Sequence, residues 1–200
     1  MKKAVTGLIL LFIAEIIQFI YPFFAFFIPA FWNSRIFDLA IIIVANAVLV
    51  IELVACTIAK RDLPAFGTVR VITILQFVAC MIISLLKSFD IIYFGGVDDF
   101  IAKVFDMMVI LFTIKVFRGI CYDKNVDDKW FDKATIVILI FTAFSAIGSL
   151  WGSMIIGVSH KDLVNKIFFL ICIAVYVITA IVSNIFWLRA VCKGIKLCKL

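Results

Sequence analysis

The sequence has few charged residues, few prolines and a single histidine. Charged side chains make up 16% of the chain and hydrophobic ones 66%, whereas soluble domains average about 25% charged residues. A chain of this length that folds in water still exposes about 30% of the surface that its unfolded form exposes, so it cannot bury this much apolar surface. The composition therefore excludes a soluble monomer, a disordered chain and a collagen-like or mucin-like repeat.

The motifs that mark common enzymes and metal sites are also missing. The sequence contains no H-E-x-x-H, no G-x-S-x-G and no phosphate-binding loop. His160 follows Ser159 and precedes Asp162, but sequence neighbours do not have the spatial arrangement of a catalytic triad. One histidine without a C-x-x-C pair does not predict a metal site. We expect a non-enzymatic protein with no catalytic residue, no metal and no cofactor.

Long apolar runs dominate the chain instead. A membrane-spanning helix needs about 20 mostly apolar residues, and the runs are continuous rather than alternating, which favours helices over a β-barrel. With only three prolines, no linker divides the chain, so we predict one transmembrane domain over residues 1–200, an all-α polytopic helix bundle. The predicted spans are residues 4–31, 39–59, 69–86, 100–120, 134–157 and 163–191. The fourth contains Lys103, Asp106 and Lys115, so five spans are the alternative to six.

The distribution of Lys and Arg residues predicts the orientation of the chain in the membrane. With six spans and an inner N-terminus, most of the 19 Lys and Arg residues fall on the cytoplasmic side, as the positive-inside rule requires. Both termini and a polar loop at residues 121–133 are then cytoplasmic, and Trp130 and Phe131 of that loop are expected to dip into the interface. The net charge of +6 indicates attraction to the anionic inner leaflet, not nucleic-acid binding.

The end of the chain carries a basic stripe. Arg189, Lys193 and Lys196 follow one another at i, i+4 and i+7, which places them on one face of a helix. We predict that the last helix continues into the interface and that these three residues contact anionic lipid headgroups.

An internal repeat is a further hypothesis. Ala4, Val69 and Ala134 stand near the start of the first, third and fifth spans at a constant interval of 65 residues. Three tandem helical hairpins would produce this spacing. Any membrane protein that alternates under the positive-inside rule could produce it too, so the sequence leaves the repeat open.

Four segments carry a family resemblance: the opening KKAVTGLILLFIAEII, the loops AKRDLPAFGTVR and IKVFRGICYDKNVDDKWFDKA, and the closing WLRAVCKGI. These segments are similar to those of small six-helix integral membrane proteins of Firmicutes. No function is assigned to those proteins, so the resemblance implies no activity and no site. It implies a multi-pass protein of the bacterial cytoplasmic membrane.

Polar side chains inside the predicted spans are the candidate functional residues. An ionisable group in the bilayer is costly and is by default a functional-site hypothesis. The alternative is a structural role, in which such groups join helices through hydrogen bonds. In that case Glu52 pairs with Arg118 or Lys115, and Asp106 pairs with Lys103. The sequence does not say whether the candidates converge. They are Glu15, Gln18, Asn46, Glu52, Gln76 and Asp106.

Small and hydroxyl-bearing residues recur at helical spacing on the last two spans. Ser145, Gly148, Ser149 and Gly152 form such a stripe on the fifth span, and Thr179 and Ser183 continue one on the sixth. Small residues allow close helix contact in lipid. The pattern favours a tight antiparallel helix pair over a hydroxyl-lined conduit.

Two functions remain. The absence of a catalytic set and the small-residue stripes favour a non-enzymatic accessory or regulatory subunit, which acts by helix association with another membrane protein or with a second copy. The alternative is a small-solute or ion transporter or channel that uses the intramembrane carboxylates, because transporters are often built from repeats.

The predicted orientation can be tested with reporter fusions. A reporter joined after Ser34 is expected outside the membrane and one joined after Asn125 inside, because the spans alternate from a cytoplasmic N-terminus. Compartment-specific activity of the two reporters measures this. The opposite pair of results would contradict the topology.

Overall fold

The protein is an all-helical bundle. The computed structural model describes residues 1–27, 35–88, 97–156 and 163–200, and these ranges contain helices and no strand. The helices are α1 (Lys2–Phe27), α2 (Arg35–Ala59), α3 (Phe66–Ser88), α4 (Val97–Asp123), α5 (Lys129–Ile156) and α6 (Leu163–Lys199). The predicted fold class is confirmed. His160 lies outside the described residues.

Five of the six helices, α1, α2, α3, α5 and α6, are long and apolar enough to cross a membrane. The chain is therefore a multi-pass helical membrane protein. The exception is α4, the helix that the sequence marks as the most polar, because Lys103, Asp106, Lys115 and Arg118 interrupt its apolar run. A sixth crossing through α4 stays a prediction.

Each helix begins before its predicted span or at its first residue, and the predicted loop at residues 121–133 is mostly helix. α4 continues to Asp123 and α5 begins at Lys129, so only five residues connect them. Apolarity sets how much of a helix lies in lipid, but backbone hydrogen bonds set where the helix ends. Asn125 reverses the chain with φ 52°, a left-handed conformation that asparagine tolerates, and Val126 N–H donates to the Cys121 carbonyl oxygen at 2.9 Å.

The expectation that Trp130 and Phe131 dip into the membrane interface is wrong for Phe131. Its side chain is buried, and its ring centroid lies 5.7 Å from that of Phe117 and 5.4 Å from that of Trp130. Phe117 in turn lies 6.5 Å from Phe66. An aromatic layer therefore closes one end of the bundle, because burial against α3 and α4 removes more apolar surface than an interfacial position would.

The helices form a closed ring. Each helix packs against its sequence neighbours, α6 returns to pack against α1, and α4 also touches α6. This order is the one expected for antiparallel helices joined by short connections. Polar side chains on the inner faces of different helices are thereby brought toward a common interior.

Both chain ends and two connections meet at the end that holds the aromatic layer. The Met1 ammonium lies 3.1 Å from Asp62 in the α2–α3 connection, and Lys124 Nζ in the α4–α5 connection donates to the Leu197 carbonyl oxygen at 2.9 Å. The sequence predicts most basic residues at this end, which we call the basic end. Its position on the cytoplasmic side stays a prediction.

The three positions of the proposed repeat are all buried. Ala4, Val69 and Ala134 are all buried near the first turns of α1, α3 and α5. The helix order agrees with three successive hairpins. Duplication of a hairpin in the sequence itself stays a hypothesis.

A glycine permits the closest helix approach that the structure describes between α1 and α2. A Cβ built on Gly7 would lie 2.6 Å from the Ala55 carbonyl oxygen and 2.7 Å from the Ala59 backbone nitrogen. Backbone atoms cannot move aside as a flexible side chain can, so this contact requires glycine.

We predict that Gly7→Ala destabilises the protein by about 1–3 kcal/mol, because the added methyl forces α1 away from α2. Gly119→Ala is the matched control, since a Cβ on Gly119 meets nothing within 4 Å and alanine favours a helix by about 1 kcal/mol over glycine. Thermal denaturation of the detergent-solubilised variants measures both effects. Equal midpoints for the two variants would contradict the steric argument.

Asp62 anchors the start of α1 from the α2–α3 connection. Its Oδ2 accepts the backbone N–H of Lys3 at 2.8 Å and of Ala4 at 3.1 Å, two of the groups that a helix start leaves unsatisfied. The Ala4 N–H, the N-terminal ammonium and the Lys3 N–H hold the pKa of the Asp62 carboxyl below its ordinary value. The charged form therefore stabilises the fold.

We predict that Asp62→Asn lowers the thermal midpoint at pH 7. The lowered pKa makes this stabilisation complete above about pH 3.9, the ordinary pKa of aspartate, and it is lost as the pH falls through the lower pKa of the folded state. The difference from the unmodified protein should therefore shrink below about pH 4. Asp123→Asn, at an exposed aspartate of the same end, is the control, and a pH-independent difference for Asp62→Asn would argue against the charge.

Candidate functional site

Asp106 of α4 lies beside two polar side chains. Gln76 of α3 donates from Nε2 to Asp106 Oδ1 at 2.7 Å. Lys103, one turn earlier on α4, places Nζ 3.6 Å from Asp106 Oδ2, which confirms the predicted local pair. Both carboxylate oxygens thus have a partner, and the ammonium of Lys103 balances one negative charge.

Glu52 of α2 is the most deeply buried acid of the candidate set, at 4% exposed. It lies on the same helix face as Ala55 and Ala59, which pack against α1. The charged groups that act on Glu52 are Glu15 and Asp106, both of them acids. A charge on Glu52 therefore meets repulsion from two neighbouring helices.

Glu15 of α1 is partly buried and has a more favourable setting. The indole of Trp187 on α6 stands beside its carboxyl group, and Lys103 attracts it while Asp106 repels it. Trp187 is 1% exposed, and its Nε1–H makes no hydrogen bond with standard geometry. The indole N–H is thus close to the carboxyl and available to it.

These hydrogen bonds and electrostatic interactions link the residues of one group, which we call the acid cluster: Glu15, Glu52 and Asp106, with Gln76, Lys103 and Trp187 around them. Four of the six candidates therefore interact, a point that the sequence leaves open. Five helices contribute to the cluster. Sequence reasoning missed Trp187, although it extends the α6 stripe of Thr179 and Ser183 by a further four residues.

Fixed contacts near the basic end give the depth of the cluster. Glu15 is eight residues beyond Gly7 on α1, or about 12 Å, and Glu52 is seven residues from Ala59 on α2, or about 10 Å. Asp106 is eleven residues from Phe117, or about 16 Å. The cluster therefore lies well inside the apolar stretches of α1 and α2, which cover Lys2–Ile20 and Ile42–Ala59.

The predicted pairing of Glu52 with Arg118 or Lys115 is wrong. Arg118 instead binds Asp128 through Nε at 3.2 Å and Asp132 through Nη1 at 2.9 Å. Lys115 is exposed, whereas Glu52 is buried. Both basic residues lie closer to the basic end than Glu52 does. There, Asp128 of the α4–α5 connection and Asp132 of the first turn of α5 neutralise Arg118 at a lower desolvation cost.

The two remaining candidates, Asn46 and Gln18, have no described contact with the acid cluster. Asn46 donates from Nδ2 to the Ile42 carbonyl oxygen of its own helix at 2.8 Å, and its Oδ1 has no partner. Gln18 is partly buried, one turn beyond Glu15. A role for either residue in the acid cluster stays a prediction.

The cluster contains a polar atom that the described residues leave unsatisfied. Gln76 is 3% exposed, and its Oε1 has no hydrogen-bond partner although its Nε2 is fixed on Asp106. Buried polar groups are normally paired, so this acceptor remains available beside the Asp106 carboxylate. In the described part of the chain, no three His, Cys, Asp or Glu side chains are placed to hold a metal ion.

The polar stripes of α5 and α6 join these two helices. Thr142 and Ser183, both buried, share a hydrogen bond of 2.8 Å between their hydroxyl oxygens. Ser145 is 3% exposed with no partner for its Oγ, and Gly148 is partly buried. The surroundings of Ser149 and Gly152 lie outside the described part. The predicted antiparallel contact between the two helices is present.

The basic stripe of α6 is exposed along its whole length. Arg189, Lys193 and Lys196 all lie on the surface, on the helical continuation that the sequence predicts. Lys193 Nζ stands 4.2 Å from the centre of the Trp130 ring, a cation–π contact within the protein. Binding of lipid headgroups by this stripe stays a prediction.

Comparisons of the chain with protein-family models, with curated proteins and with solved structures find no match. The resemblance to small six-helix membrane proteins of Firmicutes therefore stays an expectation from the sequence. The family remains open, and the membrane bundle with its acid cluster is the basis for any functional assignment.

Proposed function

We propose that this multi-pass membrane protein is a small transporter or channel that moves a small cation through the acid cluster. The carrying observation is a set of acids on three helices inside the bundle: Asp106 is bonded to Gln76 of α3 at 2.7 Å, Glu52 is 4% exposed, and Glu15, Glu52 and Asp106 repel one another electrostatically. Ionisable groups at this depth are expensive and characteristically mark ion or proton pathways. The proposal requires no catalytic residue.

The balance of charges supports a site over a structural network. Around the three acids, Lys103 supplies one positive charge, and it is paired with Asp106. Polar groups that only glue helices together are expected to satisfy one another. Here the Gln76 Oε1 lacks a partner, and the charged groups that act on Glu52 are like charges. Excess negative charge in an apolar interior attracts a cation.

An accessory role through helix association, which the sequence favours, is the second candidate. The close contacts that the structure describes join helices of the same chain, with Gly7 against α2 and Thr142 bonded to Ser183. These contacts explain how the bundle holds together. They do not identify a surface for a second protein, so the acid cluster is the stronger basis for a function.

The cellular setting belongs to the same proposal. We place the protein in the bacterial cytoplasmic membrane with the basic end inside, where the exposed Arg189 and Lys196 would meet anionic lipid headgroups. The acid cluster then lies between the two aqueous sides. This position suits transport.

Charge movement in reconstituted vesicles tests the proposal. Proteoliposomes adsorbed on a solid-supported membrane are exposed to rapid steps of H⁺, Na⁺ or K⁺ concentration, and the displaced charge is recorded. We expect a signal for at least one of these cations, and a decrease of about tenfold or more in Glu52→Gln, because the amide lacks the charge that draws a cation into the bilayer.

The Asp123→Asn variant is the matched control, because it removes one carboxyl group from an exposed position at the basic end. Its signal should equal that of the unmodified protein, and size-exclusion profiles establish that all variants are folded. If the unmodified protein responds to none of the cations, the proposed transport function is wrong.

A further inference from the structure

We propose that Asp106 and Gln76 bind the transported ion as a monovalent alkali cation, and that the Lys103 ammonium competes with this ion for the Asp106 carboxylate. This assignment of the ion rests on the proposed cation transport and names what controls binding at the same site. Three observations carry it: a buried oxygen of Gln76 without a partner, the bond that fixes Gln76 on Asp106, and the partly exposed ion pair of Asp106 with Lys103.

Gln76 presents a buried oxygen atom that lacks a partner. The residue is 3% exposed, its Nε2 donates to Asp106 Oδ1 at 2.7 Å, and none of the described groups donates to its Oε1. The carboxylate can only accept, so the bond identifies the amide end that faces Asp106 as the nitrogen. A buried amide oxygen normally has a partner, and the partner that this oxygen lacks is a hydrogen-bond donor or a cation.

The same oxygen lies close to the Asp106 carboxylate. Oε1 and Nε2 of Gln76 share one carbon atom, so Oε1 is at most about 5 Å from Asp106 Oδ1. Oxygen ligands stand about 2.3–2.6 Å from Ca²⁺, whose radius is close to that of Na⁺, so one such ion can contact both residues. Gln76 Nε2 uses one of the roughly four acceptor positions of the carboxylate, which leaves lone pairs for the ion.

The ligand chemistry favours a monovalent alkali cation. Carboxylate and amide oxygens are typical ligands of hard cations, and Asp106 supplies one negative charge. Replacement of the ammonium by Na⁺ or K⁺ leaves the charge of the interior unchanged, whereas a divalent ion would add an unpaired positive charge. A proton on Asp106 would reach Gln76 Oε1 only if the amide rotated and its 2.7 Å bond to the carboxylate broke.

The site lies at the middle of the apolar stretch of α3. That stretch covers Phe66–Leu86, and Gln76 is ten residues, or about 15 Å, from either end of it. Transporters typically bind their substrates and coupling ions near the bilayer midplane. An ion at this depth must exchange water ligands for protein oxygens, which Asp106 and Gln76 supply.

Lys103 holds the Asp106 carboxylate as a tethered cation. Its Nζ stands 3.6 Å from Asp106 Oδ2, longer than the distance of about 2.7–2.9 Å that is typical of a charge-assisted hydrogen bond. The Lys103 side chain is 27% exposed, and the residue lies near the start of α4 at Val97, away from the basic end. The long side chain can therefore turn toward that end of the helix and release the carboxylate.

The proposed step is an exchange of cations at one carboxylate. The Lys103 ammonium leaves Asp106 Oδ2, the alkali ion contacts Asp106 and Gln76 Oε1, and the bond from Gln76 Nε2 to Asp106 is kept. No covalent bond forms or breaks. Return of the ammonium displaces the ion, so Lys103 lowers the affinity of the site and promotes release.

Charge displacement at varied ion concentration tests the competition. Proteoliposomes on the solid-supported membrane are given steps of Na⁺ or K⁺, with choline as the replacement cation, and the concentration that gives half of the maximal signal is measured for each ion. We expect Lys103→Met to lower this concentration about tenfold, because the competing charge is removed, and Gln76→Met to raise it about tenfold, because the second ligand is removed. Lys103→Arg keeps the charge and should stay close to the unmodified protein.

The control variant is Lys115→Met, which removes an exposed lysine from the same helix and should leave the half-maximal concentration unchanged. Size-exclusion profiles establish that the variants are folded, and Lys103→Gln replaces Lys103→Met if the latter is not. A lysine that only stabilises the bundle predicts the opposite sign. A half-maximal concentration that is equal or higher in Lys103→Met would therefore overturn the competition.

Thermal denaturation of the detergent-solubilised protein measures binding without transport. At constant ionic strength, replacement of choline by the bound ion should raise the midpoint, because an ion that binds the folded state stabilises it. We expect this rise at lower ion concentrations in Lys103→Met and no rise in Gln76→Met. An equal rise in Gln76→Met and the unmodified protein would show that the ion binds elsewhere.

The outcomes separate the ion assignment from the proposed function. A charge signal for H⁺ alone would refute the alkali cation and leave cation transport standing. A signal for Na⁺ or K⁺ that neither Gln76→Met nor Lys103→Met changes would refute the site alone. A protein that responds to none of the three cations and is stabilised by neither alkali ion would refute both.

Discussion

A chain in lipid must satisfy its backbone hydrogen bonds within itself, and the rest of this structure depends on that requirement. Water is not available in the bilayer core to bond a free N–H or C=O group, so continuous helices are the economical solution. All six elements of the described chain are helices of more than twenty residues. Irregular backbone is confined to their ends, where side chains such as Asp62 and Lys124 bond the terminal groups.

Contacts between the helices then depend on shape more than on apolarity, because lipid is as apolar as the side chains it would replace. Gly7 lets α1 reach the backbone of α2, and Gly194 lets α6 lie against the ring of Phe117. Hydroxyl groups add direction, as the bond between Thr142 and Ser183 shows. Such contacts fix the order of the ring, and the ring fixes which polar side chains share the interior.

The acid cluster is the costly product of that arrangement. Repulsion between Glu15, Glu52 and Asp106 opposes folding, and Lys103 offsets only part of it. The same bundle satisfies Arg118 with two carboxylates at the basic end. The contrast between a neutralised surface group and an unbalanced interior is the physical reason for proposing that the function lies in the interior.

The sequence determined the solvent, the secondary structure and the polarity of the ends. Apolar runs of about 20 residues suffice to predict helices in lipid, and the intrahelical pair of Lys103 with Asp106 follows from spacing alone. Local spacing cannot give contacts between helices. The tertiary structure decided that the charged neighbours of Glu52 are acids and not Arg118, that Trp187 lies beside Glu15, and that Phe131 is buried against Phe117. Each of these depends on the rotation and depth of one helix relative to another, which side-chain packing sets in the folded bundle.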